Sequence, residues 1–153
     1  MTFMTDQTRV NALIQALFSS TTAFTITPGT SGGSAFTVTP PFNLRLMTTQ
    51  GSNTSNGVEA TASNCPGYVA KGNTLGTQFN GAPAGGTQTN VNAVTWSATS
   101  GWATITAIEI WDTAATTQLR WLQGQLTSAI TGVANGDTVQ FAVGSITTNA
   151  SQW

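Results

Sequence analysis

The 153-residue chain carries four Lys or Arg, five Asp or Glu and no histidine, so only 6 % of it is charged, against about 25 % in an average soluble domain. Thr (30), Ser (12), Asn (11) and Gln (10) fill the gap and make up 63 of the 153 residues. Four scattered cations cannot form the basic stripe that phosphate neutralisation needs, which excludes nucleic acid as a partner; the chain also lacks the charged flanks of a coiled coil and any apolar run long enough to cross a membrane.

The first element reads as a helix. Val10, Leu13, Ile14, Leu17 and Phe18 fall three and four residues apart and make one apolar stripe. Thr5 or Asp6 suits its N-cap, and Ser19, Ser20, Thr21 and Thr22 end it because their side chains compete for backbone hydrogen bonds. The spacing predicts a helical arm within residues 1–22, which either lids the core or docks on a neighbouring subunit. Leu13, Leu17 and Phe18 are its candidate packing residues.

From residue 23 the period changes to two. Phe24 and Ile26 alternate with Thr25 and Thr27, and Phe36 and Val38 with Thr37 and Thr39. Thr is β-branched with a polar tip, so it suits the wet face of a strand. The two segments are near duplicates separated by a Gly-rich stretch, 29–34, and read as a small hairpin or a projecting loop, with Pro28 and Pro40 closing each strand. Phe42, Leu44 and Leu46 mark a third strand, and residues 48–57 hold no apolar side chain and read as a loop. A further loop covers 80–87, and strand-like stretches follow at 91–96, 103–111, 119–126 and 138–146. Seven to nine short strands at this spacing predict a mostly β protein: a single, jelly-roll-like β-sandwich over residues 23–153.

No constellation carries catalysis. Without histidine there is no ordinary base for a hydrolytic triad, and Lys71 stands in a turn-like context. Glu109 and Asp112 lie on a strand running into a turn, where a structural role is the simpler reading than a glycosidase pair. The five carboxylates are too dispersed for a calcium cage. Cys65 is the single cysteine, which excludes an internal disulfide, and reads as a small buried apolar residue. The expectation is a protein that is not an enzyme, with no catalytic, metal or cofactor-binding residue and no cofactor. The five tryptophans are more informative, since Trp favours cores, interfaces and sugar platforms. At least two of them should lie inside the sandwich. Trp102, Trp111, Trp121 and Trp153 are candidates for core packing or assembly, with Trp153 packing outside the fold or on a neighbour.

The segments Thr104-Ile-Thr-Ala-Ile-Glu-Ile-Trp-Asp112, Leu119-Arg-Trp-Leu-Gln-Gly-Gln-Leu126 and Ala134-Asn-Gly-Asp-Thr-Val-Gln-Phe-Ala-Val-Gly-Ser-Ile-Thr147 resemble, in order and spacing, the small virion proteins of tailed bacteriophages that are commonly labelled tail fibre or minor tail proteins. The leading helix, the strand at Phe42 to Met47 and Gly67-Tyr68-Val69-Ala70 agree more loosely. The chain departs from that pattern in the added 29–34 segment, in the loop after Met47, which lacks an acidic Asp-Pro-Gly turn, and at Glu109, where the family has Gly.

The resemblance implies a virion structural protein. One compact domain without fibrous repeats leads us to expect a capsid decoration or cement protein: a homotrimer on the outer surface of the particle, bound to the major capsid protein or other virion proteins and present in the host cytoplasm during assembly. The alternative is a tail fibre, minor tail or baseplate component that contacts the host surface, with surface glycans as a partner.

Overall fold

The computed structural model describes residues 24–26, 35–39, 42–52, 54–71, 79, 87–113 and 118–149. Among them the regular elements are ten strands: β1 (Phe24–Ile26), β2 (Phe36–Val38), β3 (Asn43–Thr49), β4 (Val58–Glu59), β5 (Thr87–Thr89), β6 (Val94–Ser97), β7 (Ile105–Trp111), β8 (Arg120–Ile130), β9 (Thr138–Phe141) and β10 (Thr147–Asn149). Every pairing is antiparallel. Strands β4-β3-β7-β8 form one sheet, and β1–β2, β5–β10 and β6–β9 are two-stranded pairs. The mostly β character is therefore present, but as one four-stranded sheet with three separate pairs rather than the predicted single jelly-roll-like sandwich. No helix occurs among the described residues, and the predicted N-terminal helix, with Leu13, Leu17 and Phe18, lies outside them.

Register explains which side of the sheet faces the apolar core. Leu44 faces Ile110 and Leu46 faces Ile108 across β3 and β7, so these four share one face. Asn43, Arg45, Met47, Ala107, Glu109 and Trp111 share the other. The first face packs into a core that β6 and β9 complete with Val94, Trp96 and Val139, and that Cys65, Tyr68, Phe79 and Trp102 fill from the connections. Trp96 stacks near Tyr68 at 6.5 Å and meets Phe141 edge-on at 6.0 Å. Burying a side chain such as Leu46, which is 0 % exposed, contributes about 1.5–3 kcal/mol.

Two bulges shape β8. Ile110 faces Leu122 but Trp111 faces Arg120, so Trp121 is an extra residue. The bulge lets both Trp121 and Leu122 pack on the core, where Trp121 meets Phe42 edge-on at 6.2 Å. Further along, Ala107 faces Gln125 and Ile105 faces Ile130, so Leu126, Thr127, Ser128 and Ala129 arch out opposite Thr106 alone.

The predicted strand over 138–146 stops at Phe141. Gly144, at φ +74, allows a tight turn that an L side chain resists, and Ser145 N–H closes it on Ala142 O at 3.1 Å. Buried Asn90 ties this turn to the β5–β10 pair: its Nδ2 donates to Ala142 O at 2.7 Å, and its Oδ1 accepts from Ile146 N–H at 2.8 Å.

Candidate functional site

A chain this poor in charge shows its investments by where the charges sit. Five of its nine charged residues, Arg45, Glu59, Glu109, Asp112 and Arg120, lie on the four-stranded sheet or at the β7–β8 connection. Strand alternation sends Arg45 and Glu109 to the face away from the core.

Glu109 has no exposed surface. A buried carboxylate needs partners for both oxygens, and Glu109 has them. Oε1 accepts from Gly51 N–H at 3.0 Å and from Arg120 Nη1 at 3.3 Å, and Oε2 accepts from the Trp111 indole N–H at 2.9 Å. Arg120 also donates to Ser55 O at 3.1 Å and to Ser52 O. The polar loop after β3 is therefore fastened over the sheet from below. Its own ends close through Ser52 N–H to Ser55 O at 2.9 Å.

Glycine makes the approach geometrically open. A Cβ on Gly51 would stand 1.9 Å from Arg120 Nη1 and 2.7 Å from Gly57 N, and one on Gly57 would stand 2.4 Å from Thr49 O. No side chain fits between the two backbone passes.

A second ion pair flanks the first. Arg45 Nη1 reaches Glu59 Oε2 at 3.1 Å, Arg45 Nη2 donates to Gln118 Oε1, and the guanidinium lies 4.9 Å from the Trp111 ring centroid. The Tyr68 hydroxyl donates to Glu59 Oε1 at 2.9 Å and accepts from Leu46 N–H at 3.1 Å. Burial, reinforced by the Glu59 charge, pushes the Tyr68 phenol well above its ordinary range. Burial also pushes the Cys65 thiol up, and Cys65 is 0 % exposed. Both glutamates have each oxygen engaged. The cluster acts chemically as a clasp that holds a loop in one shape.

The tryptophans singled out in the sequence are placed differently from one another. Trp102 is buried in the core, donating to Pro66 O at 2.8 Å and meeting Tyr68 edge-on at 6.3 Å. Trp111 belongs to the clasp. Trp121 is half-buried, with its indole N–H 3.4 Å from Asp112 Oδ2. Asp112 meanwhile accepts the Leu119 N–H at 2.9 Å, closing the β7–β8 connection. Trp153, like Leu13, Leu17 and Phe18, lies outside the described residues. Sequence reasoning missed Arg120, Gly51 and Gly57. The signal for Arg120 was present: Glu109 sits mid-strand between isoleucines, a position that demands a cation, and Arg120 opens the following strand.

A family model described as "Podophage GP4 fiber I protein gp80" matches residues 17–149 of the chain. No curated protein and no solved structure matches it.

Proposed function

The chain belongs to the podophage GP4 fiber I protein gp80 family, and from that premise we propose that it is a non-enzymatic subunit of the tail fibre, or of the tail-tip parts beside it, presented toward the host surface. Family membership makes it a bacteriophage virion component of the fibre kind. The family match over residues 17–149 carries the reading and favours the tail alternative over capsid decoration. The clasp supports it: Glu109 and Arg120 bond to the loop after β3, at Gly51, Ser52 and Ser55, and Arg45 and Glu59 bond to each other, rather than standing open for chemistry. A rigid polar loop serves recognition, because little conformational freedom is lost on contact.

The subunit acts in this reading as a homotrimer joined to other virion proteins, since joining copies multiplies individually weak contacts. Quantitative mass spectrometry of purified particles, with particle imaging by electron cryo-microscopy, tests it. A handful of copies located at the tail supports the proposal, and hundreds of copies spread over the capsid shell overturn it.

A further inference from the structure

The arch of β8 at Leu126 to Ala129 opens a cup of about 170 Å³ between β7, β8 and the turn that leads into β10. Half-buried Ile108, Leu126 and Phe141 give it an apolar floor, and exposed Gln125, Thr127 and Ser145 give it a polar rim. No charged residue is among the described residues that line it. The floor is firm, because the Phe141 ring is braced edge-on by buried Trp96 at 6.0 Å.

Size and chemistry narrow what fits. The cup is smaller than the ~300–1,000 Å³ of pockets for drug-sized ligands, and at ~30 Å³ per water it equals about six water molecules. That is room for one saturated six-membered ring. Aromatic and aliphatic side chains receive a face of C–H groups, while the Gln125 amide and the Thr127 hydroxyl can donate and accept toward ring hydroxyls, and the Ser145 hydroxyl, which already donates to Ala142 O at 2.7 Å, can accept. With no charge in the lining, nothing offsets the desolvation of an ionic group. We propose that this cup binds a single neutral sugar ring, one unit of a surface polysaccharide. The inference rests on the fibre reading above for the host surface as the source of that sugar.

Gly124 supplies a clean test. It faces Ile108 across the sheet, and a Cβ there would meet only Ile108 Cγ1, at 3.9 Å, an ordinary contact. A Gly124→Leu change therefore suits a strand and fills the cup. The wild-type protein would be titrated with the methyl glycosides of glucose, galactose and mannose, and with methyl glucuronide as the charged counterpart, reading backbone amide shifts by NMR. Saturable shifts at Gln125, Thr127 and Ser145 are expected for at least one neutral glycoside, with a Kd of about 1–10 mM, as befits a ligand of one ring. Gly124→Leu should keep the wild-type melting temperature and weaken that binding at least tenfold, and Gln125→Ala should weaken it several-fold.

Silence toward all three neutral glycosides up to about 50 mM, stronger binding of the glucuronide, or undiminished binding in a folded Gly124→Leu protein would overturn the inference. A silent cup on a subunit located in the fibre overturns this inference alone. Glycoside binding by a subunit spread over the capsid shell upholds the cup and overturns the fibre reading.

Discussion

Arg120 Nη1 stands 3.3 Å from Oε1 of Glu109, a carboxylate with no exposed surface. The two residues belong to adjacent strands, and the loop at 50–57 is bonded to both. Removing one partner of such a pair leaves an uncompensated buried charge, which costs about 3–5 kcal/mol. Arg120→Met should therefore lower unfolding stability by that order in urea titrations. The double change Glu109→Gln with Arg120→Met should cost less than the sum of the two single changes, because their energies are coupled. Strict additivity would show that the pair does not act as one unit.

Gly57→Ala should destabilise by about 1–3 kcal/mol, the usual cost of forcing an extra methyl into packed structure, because its Cβ would stand 2.4 Å from Thr49 O. Gly51→Ala should act in the same direction through Gly57 N at 2.7 Å. Gly101→Ala is the control: its Cβ would meet only Val133 O at 3.8 Å, so its effect should stay within about 0.5 kcal/mol, as for most surface changes. Thermal melts of the three variants decide it.

Alkaline pH should unfold the protein earlier than neutral pH. Folding raises the Tyr68 phenol above its reference of 10.0 and the Cys65 thiol above 9.0, both chiefly through burial. Each group then holds its proton more tightly folded than unfolded. Its contribution is fully present below the unfolded value and is lost as pH rises through the folded one. Stability measured by urea should thus begin to fall near pH 9, from Cys65, and fall more steeply above pH 10, from Tyr68. Tyr68→Phe should start from a lower stability, having lost its bond to Glu59, but decline less steeply above pH 10. An equal slope in both proteins would remove Tyr68 as the cause.

Attachment to the particle should resist salt. The whole chain has nine charged residues, and Arg45, Glu59, Glu109 and Arg120 are already paired within the subunit. Little interface energy is left for salt to screen. Washing particles from about 0.1 to about 1 M NaCl, a range over which the screening length falls from ~10 to ~3 Å, should leave the subunit bound; its release would place charged contacts at the joint.

The strands legible in the sequence are those with apolar alternation. Leu44 and Leu46 announce β3, the Ile-rich stretch before Trp111 announces β7, and the duplicated Phe-Thr segments pair as β1 with β2. Strands β5 and β10 escape the sequence because they are three residues each of Thr, Gln and Asn. They are held by backbone pairing and by buried Asn90, whose bonds reach residues more than fifty positions away. The clasp escaped for a related reason. Plain alternation would pair Glu109 with Leu122, but the extra residue Trp121 shifts the register and sets Gln123 opposite Glu109. A bulge follows from packing across the whole sheet, which no local pattern encodes.

The arched end of β8 bears on how many copies can be held together without fouling. A long, straight outer strand is an open template on which another chain can add its own strand. In β8 four residues, Leu126 to Ala129, leave the line of the ladder opposite Thr106, and Thr127, Ser128 and Ala129 turn outward. An incoming strand would find the row of donors and acceptors interrupted there. A nearly uncharged protein has little mutual repulsion to keep its copies apart, and this break in the edge supplies a geometric safeguard instead. Strand addition along this end of β8 is therefore disfavoured.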